Sequence, residues 1–271
     1  MRKNYIREKK IYCSNDYMEV DIYALNGESR DKGAKRSKKV KVSEPKQKNL
    51  NDKNAKRYFT QKVHANFKAD DLYITLTYTN STLPKTIEEA EKNIQNYVRR
   101  LKRARKKQGL DELKYISVVE HKSEQEGDEE NIRVHHHMII NSGLDRDVVE
   151  ELWRHRKKKG EKEKKIGLVN AVRLQEDYAS GLTAISKYLV KDSRGKKRWT
   201  CSKNLKQPVC RTNDFKYTFR KIEQIAKQPI DVAYWENQYK GWTIKDKIGG
   251  YEARYNEYTG WSIYIKLRRK E

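Results

Sequence analysis

Three consecutive histidines are the side chains in this sequence best suited to bind a metal ion. The chain has 271 residues and six histidines, and His135, His136 and His137 are adjacent. Residues 132–140 are otherwise mostly apolar and predict a strand, along which side chains alternate between two faces. His135 and His137 would then project together and could chelate one ion, whereas His136 would lie among apolar neighbours. A surface histidine pair that contacts nucleic acid is the alternative.

A carboxylate ends the predicted strand that precedes the histidines. Residues 114–120 form an apolar, β-branched run that finishes at Glu120. If this strand and the histidine strand pair as a hairpin, Glu120 comes level with His135 and His137 and completes a His-His-Glu site. A solvated carboxylate at a strand end is the alternative. Imidazole and carboxylate ligands suit several divalent ions, so the residue types do not choose among Mg²⁺, Mn²⁺ and Zn²⁺.

A tyrosine with a lysine three residues later could act as a nucleophile. Residues 178–191 predict a helix, on which Tyr188 and Lys191 share one face at i and i+3. The same face carries Gly181 and Ala184, which would let another backbone approach closely. Because a tyrosine hydroxyl has an unperturbed pKa of about 10, it needs a base, or a cation and a metal, to attack. With 18 tyrosines in the chain, a packing role is the alternative.

The positions of these residues depend on a sheet and on helices that the sequence also predicts. The predicted strands are 72–78, 114–120, 132–140 and 168–174, and the predicted helices are 56–67, 86–109, 145–156, 178–191 and 215–226. An acidic loop at 123–131 joins the two central strands, and 255–260 predicts the turn of a closing hairpin. Strands and helices that interleave around a central hairpin predict an α+β fold with helices packed on a sheet.

The charge of the chain indicates a polyanionic partner. Lys and Arg total 62 against 38 Asp and Glu, a net charge of +24, and neutralising phosphates releases condensed counterions. The helix that starts at Thr86, with Glu89 completing a capping box, ends in a dense basic cluster near Gly109. Some of this charge complements the helix dipole, but its density favours a phosphate-binding face. The candidate DNA-binding residues are Arg99, Arg100, Arg103, Lys106 and Lys107.

Composition also excludes several classes of protein. The three cysteines, Cys13, Cys201 and Cys210, lack C-x-x-C spacing, which predicts free thiols. No apolar run approaches the length of a membrane span, and the N-terminus has no apolar signal region. We therefore expect neither a membrane protein nor a secreted one. A basic run at 32–39 lies within a polar N-terminal segment that is either a solvated tail or a DNA-clasping arm.

Three blocks of sequence, in order, resemble the motifs of HUH endonucleases that initiate rolling-circle replication. They are Ile-Thr-Leu-Thr-Tyr at 74–78, His-His-His-Met-Ile-Ile at 135–140 and Tyr-Leu-Val-Lys at 188–191. The phage gene-II-like and integrated-element replication-associated proteins are similar in particular, with support from 67–72 and 202–208. The likeness extends over residues 50–215 and more weakly to the end of the chain.

The resemblance implies an HUH/RRM-like palm, a central antiparallel sheet that carries the histidines with the nucleophile helix packed beside it. It divides the chain into a basic N-terminal extension (1–50), an HUH endonuclease domain (51–215) and a C-terminal α/β extension that packs on or beside it (216–271). The matching positions are His135, His137 and Glu120 as metal ligands, Tyr188 as nucleophile and Lys191 as the motif lysine. Two departures are His136 in a hydrophobic position and a longer loop after Glu120. Ala184 replaces a second tyrosine, which implies a single-tyrosine enzyme.

The implied activity is site-specific nicking and rejoining of single-stranded DNA at a replication origin, with Mg²⁺ or Mn²⁺ as cofactor. Tyr188 would attack the scissile phosphodiester, freeing a 3′-OH and keeping the 5′ end as a phosphotyrosine. Lys191 would stabilise charge on the phosphate or orient the tyrosine. The sequence has no G-x-x-x-x-G-K-[ST] loop, so we expect a separate host helicase, as well as a polymerase, in the cytoplasm of a bacterial host cell.

Two other functions fit part of the pattern. A non-catalytic, basic nucleic-acid-binding regulator accounts for the charge and the tyrosine content equally well. It gives no reason for Glu120, Tyr188 and Lys191 to match the motifs together. A transposase or conjugative relaxase of the same superfamily is the second alternative, against which chain length and the Tyr-x-x-Lys form favour replication initiation.

Overall fold

The computed structural model describes residues 4–26, 45–120, 133–155, 164–191, 198–246 and 249–270, and these contain two antiparallel sheets and six α-helices. The elements are β1 (Asn4–Tyr12), β2 (Tyr17–Asn26), α1 (Pro45–Asn66), β3 (Leu72–Leu76), α2 (Ile87–Lys107), β4 (Tyr115–Glu120), β5 (His135–Ile140), α3 (Arg146–Glu151), β6 (Val169–Arg173), α4 (Thr183–Leu189), β7 (Thr200–Cys201), β8 (Val209–Asn213), α5 (Phe219–Ala226), α6 (Val232–Gln238), β9 (Trp242–Thr243), β10 (Tyr251–Asn256) and β11 (Gly260–Arg269). The predicted α+β class is confirmed, with two sheets in place of one.

Two compact units divide the chain. The first comprises residues 1–65, 177–181 and 207–271, and the second comprises 66–176 and 182–206. Whether the chain divides functionally at residues 50 and 215 stays a prediction. No helix of the described ranges is long and apolar enough to cross a membrane. The three cysteines are free thiols, as predicted.

The sheet of the first unit has the strand order β10-β11-β2-β1-β8, with β9 on β11. Its core joins strand residues such as Val20 and Ile265 to Trp235 of α6. Residues 4–26, in the segment predicted as an extension, therefore form two central strands of a sheet. The predicted closing hairpin is confirmed by pairing of Asn256 with Gly260. The basic run at 32–39 and the predicted loop at 123–131 lie outside the described residues.

The sheet of the second unit has the order β6-β3-β5-β4-β7, and every pair is antiparallel. The alternation of β3 and β5 sends Ile74 and Met138 to one face, where they pack with Tyr97 and Leu101 of α2 and with Trp153. The opposite face of β3 and β5 carries the odd-numbered side chains from Tyr73 to Thr77 and the outer two histidines, next to α4. The sheet thus lies between α2 on one side and α4 on the other.

Several predicted helix boundaries are wrong, although the helices exist. The predicted helix at 145–156 spans only Arg146–Glu151, and α1 begins eleven residues before the predicted start, at Pro45. α2 has its predicted cap, since the Thr86 side chain accepts from the Glu89 backbone N–H at 3.2 Å. The helix predicted at 178–191 is confined to Thr183–Leu189.

Gly181 accounts for the late start of α4. This residue has a φ of +59°, and its backbone pairs with that of Asp177 through hydrogen bonds of 2.7 and 3.0 Å. A left-handed glycine in a closed turn cannot continue a right-handed helix. Gly181 therefore precedes the helix, and the prediction that it shares a helical face with Tyr188 is wrong.

Candidate functional site

Glu120, His135 and His137 meet at one end of the sheet of the second unit. Glu120 is the last residue of β4 and lies directly opposite His135, the first residue of β5. The His135 Nε2 lies 3.1 Å from both the Glu120 Oε2 and the His137 Nε2. The His137 Nε2 lies 3.2 Å from the same carboxylate oxygen. The hairpin register expected from the sequence thus brings the three predicted ligands together.

The spacing of these three donor atoms fits a single divalent ion. Ligand atoms about 2.1 Å from one ion, and at right angles to one another, would lie about 3.0 Å apart. Tetrahedral ligands at the same distance would lie about 3.4 Å apart. Within the described residues, this is the one group of three His, Cys, Asp or Glu side chains close enough to hold a metal.

Neighbouring groups present both histidines in the form that binds metals. The His135 Nδ1 lies 2.9 Å from the Arg133 carbonyl oxygen, which can only accept, so the proton of the neutral ring sits on Nδ1. The His137 Nδ1 lies 2.6 Å from the Tyr73 hydroxyl and 3.3 Å from that of Thr75. Burial and the neighbouring His135 lower the pKa of His137 and favour its neutral form. Each Nε2 is therefore available as a ligand.

His136 lies on the other face of the sheet, as the alternation predicts. The side chain is fully buried, its Nε2 is 2.7 Å from the Tyr78 hydroxyl, and its ring meets the edge of Trp153. Burial lowers the pKa of His136 to about 3, so the ring is neutral at physiological pH. His136 therefore belongs to the core between the sheet and α2.

Tyr188 lies beside the cluster. Its ring meets that of His137 edge to face, with the ring centroids 5.4 Å apart. The two rings line one cavity of about 540 Å³ together with His135 and Tyr73. α4 buries Thr183, Ser186 and Leu189, which leaves Tyr188 54% exposed on its open side. So exposed a ring does not fit the alternative of a core-packing tyrosine.

Lys191 and Ala184 lie near Tyr188 but do not line the cavity. Lys191 follows the end of α4, and its backbone N–H donates to the Tyr188 carbonyl at 3.2 Å. Its side chain is exposed. The predicted helical face shared by Tyr188 and Lys191 is therefore wrong for Lys191, although the final turn keeps the two residues adjacent. Ala184 is exposed on α4, one turn before Tyr188.

The predicted DNA-binding cluster on α2 falls into separate parts. Arg99, Arg100 and Arg103 line a groove of about 410 Å³ together with Arg154 and His155. The exposed residues Lys106 and Lys107 do not line it. The neighbouring Arg105 is buried and donates to the carbonyl oxygens of Asp111, Asn141 and Ser142 at 2.7, 3.2 and 2.9 Å. Arg105 thus connects loops and is not exposed to a ligand.

Sequence analysis missed the groups that orient the ligands. Tyr73 and Thr75 reach His137 from β3, where Thr75 pairs directly with His137 across the sheet. Arg133 donates to the Tyr78 carbonyl at 2.7 Å and lines the cavity with Tyr188. The signal for Tyr73 and Thr75 was their alternation within the first motif, which puts them on the face of the histidine pair.

Comparison with known proteins bears on the unit that carries this site. Residues 71–193 match the family model of replication-associated proteins of the ORF2 and phage gene-II type. The match includes the three cluster residues, Tyr188 and Lys191, and it supports a replication-initiator family and a role in DNA replication. No curated protein and no solved structure matches the chain.

Loss of the Tyr73 hydroxyl should weaken metal binding. In Tyr73→Phe, His137 keeps only the longer contact of 3.3 Å to Thr75, so the imidazole is less firmly oriented. Loss of such an outer partner costs about 10- to 100-fold in metal affinity, and we expect the lower end because Thr75 remains. Calorimetric titration with Mn²⁺ measures the change. Tyr115→Phe, on the neighbouring strand, is the control, and equal affinities in the two variants would contradict the assignment.

Proposed function

We propose that this chain initiates rolling-circle replication by nicking and rejoining single-stranded DNA through a 5′-phosphotyrosine on Tyr188. The observation that carries the proposal is the exposed Tyr188 ring edge to face with His137, beside the Glu120–His135–His137 cluster. A nucleophile and a metal site on one cavity are the two components that phosphodiester transfer requires. The match of residues 71–193 to a replication-associated family supports the same function.

Glu120, His135 and His137 would hold the divalent ion, and a bound ion would polarise a phosphoryl oxygen of the substrate. We propose Mg²⁺ or Mn²⁺, since donor separations of 3.1 and 3.2 Å are nearer to octahedral than to tetrahedral spacing. Tyr73 and Thr75 orient His137, and the Arg133 carbonyl orients His135. These contacts fix the ligand atoms before substrate binds, which is the preorganisation that catalysis needs.

Tyr188 supplies the attacking oxygen. The phenol gives up its proton, its oxygen bonds to phosphorus, and the bond from phosphorus to the 3′ oxygen breaks. The 3′ oxygen leaves as a hydroxyl that can prime synthesis, while the 5′ phosphate stays on Tyr188. The reverse steps rejoin the strand, because the phosphotyrosine conserves the energy of the broken bond. No nucleotide hydrolysis is needed for either direction.

Lys191 stabilises negative charge during this transfer. Its position one turn after Tyr188 allows the ammonium group to approach a phosphate bound at the tyrosine. We expect Lys191→Ala to lower the rate of adduct formation by roughly 10- to 100-fold, as for loss of one charge-stabilising donor. Affinity for Mn²⁺ should stay unchanged, because Lys191 is not a ligand. Single-turnover kinetics measure the rate, with Lys187→Ala on α4 as control; a rate equal to that of the control would remove Lys191 from the mechanism.

Incubation of the full chain with labelled single-stranded DNA from the flanking replicon tests the proposed function. With Mn²⁺, we expect a covalent protein–DNA adduct that survives denaturation and a released 3′-OH fragment. Chelation of the metal should prevent both products. DNA binding without any adduct in the presence of Mn²⁺ would favour the non-catalytic regulator instead.

A further inference from the structure

A groove lined by arginines lies on the face of the second unit's sheet opposite the metal cluster. α2 contributes Arg99, Arg100 and Arg103, and the chain after α3 contributes Arg154 and His155. The groove has a volume of about 410 Å³, and the rest of its lining is two asparagines and one isoleucine. Because α2 packs on the Ile74 and Met138 face, the groove and Tyr188 lie on opposite sides of the sheet.

The lining of this groove is strongly positive. Four guanidinium groups converge, and no carboxylate is among the described lining residues. The Arg100 Nε donates to the Leu152 carbonyl at 2.9 Å, whereas its Nη2 is buried and has no hydrogen-bond partner in the described part of the chain. Burial, Arg154 and Arg103 lower the pKa of Arg100. A buried, charged donor beside like charges is a group that an anionic ligand would satisfy.

The groove and the cavity of Tyr188 approach each other at one end of the sheet. Thr77 lines the cavity, while two residues later the Thr79 N–H donates at 3.0 Å to the carbonyl of Ile166, which lines the groove. A Cβ added to Gly167 would lie 2.0 Å from the Thr77 carbonyl oxygen, so glycine alone allows this close approach. Three extended residues span at most about 11 Å. A ligand that rounds this end of the sheet can therefore reach both sites.

We propose that the arginine groove binds phosphates of the DNA strand whose scissile phosphate lies at Tyr188, a proposal that rests on the proposed function. Guanidinium groups pair with phosphate oxygens in bidentate geometry, and a groove with several of them fits successive phosphodiesters. Contacts to phosphate carry no base information, so the groove would hold the strand without reading its sequence. The strand would pass around the end of the sheet from the cavity to the groove.

Two double variants with the same loss of charge test the groove. Arg99→Gln/Arg103→Gln removes two exposed groove residues at i and i+4, and Lys102→Gln/Lys106→Gln removes two exposed α2 residues outside the groove. Fluorescence anisotropy with a mixed-sequence single-stranded oligonucleotide, in EDTA, gives the slope of log affinity against log salt. Each phosphate contact on a single strand contributes about 0.7, so the groove variant should lose about 1.4. The lysine variant should lose less than half of that.

Equal losses in the two variants, or no loss in either, would overturn the proposal. Stabilisation of the wild-type chain against heat by inorganic phosphate, with an unchanged DNA slope in the groove variant, would identify a site for free phosphate only and would also overturn it. Thermal melts confirm that both variants fold. Because the titration is done in EDTA, its outcome does not depend on the nicking chemistry. A covalent adduct with Mn²⁺ and an unchanged slope would reject the groove and leave the proposed function standing.

Discussion

Tyr188→Phe is expected to abolish the covalent DNA adduct and to leave folding and DNA binding intact. The substitution removes only the hydroxyl, and the ring keeps its edge-to-face contact with His137. Removal of the nucleophile should lower the rate of adduct formation by about 10⁴-fold or more. Because the side chain is 54% exposed, the free energy of unfolding should change by less than about 0.5 kcal/mol. Denaturing gels with labelled DNA and thermal melts measure the two quantities.

Tyr178→Phe is the matched control for this substitution. Tyr178 is also an exposed tyrosine, at 72%, and it does not line the cavity that Tyr188 shares with the two histidines. We expect the control to form adduct at the wild-type rate. A Tyr188→Phe variant that still forms the adduct would assign the nucleophile to another residue.

Metal binding should depend on Glu120, His135 and His137 and hardly at all on His136. Each of Glu120→Gln, His135→Ala and His137→Ala removes one of three donor atoms that lie 3.1–3.2 Å apart. We expect the loss in Mn²⁺ affinity to exceed the roughly 10- to 100-fold that the loss of an outer partner costs. Calorimetric titration measures the affinity, and adduct formation should fall in parallel.

His136→Leu separates metal binding from stability. The substitution leaves the buried Tyr78 hydroxyl without its imidazole partner, which should cost about 1–3 kcal/mol of unfolding free energy. Affinity for Mn²⁺ should stay within about threefold of wild type, because His136 faces the core. If His136→Leu loses the metal and His135→Ala keeps it, the ligands lie on the other face of the strand.

The metal cluster was predictable from sequence because it depends on local rules. Side chains alternate along a strand, so His135 and His137 had to share a face. A hairpin places the end of one strand opposite the start of the next, and Glu120 pairs with His135 for that reason. The position of Tyr188 was given by resemblance to a known motif and not by any local pattern, since α4 meets the sheet only through the tertiary fold.

Features that depend on distant parts of the chain were not predictable. β1 and β2 join a sheet with β11, and Ile22 pairs with Ile263, more than two hundred residues away. The charges of residues 1–50 dominate their composition and conceal the strand pattern. The arginine groove also needs two segments, since Arg154 lies about fifty residues after Arg103. The short α4 follows from the left-handed Gly181, a backbone conformation that composition does not reveal.

The predicted role of the α2 cluster becomes more specific in the structure. The sequence treats Arg99, Arg103 and Lys106 alike, because all three lie near one another on a helix. In the structure, Arg99 and Arg103 line a groove and Lys106 does not. Contact between DNA and Lys106 or Lys107 stays a prediction, which the charge-matched variants test directly.

Peptide mapping of the covalent adduct is the most direct test of the central claim. The wild-type chain is incubated with single-stranded DNA from its replicon and Mn²⁺, digested with nuclease and protease, and analysed by mass spectrometry. We predict that the nucleotide remnant lies on the peptide that contains Tyr188, and that no remnant forms when the metal is chelated. A remnant on any other tyrosine, or on Tyr188 in the absence of a divalent ion, would contradict the account.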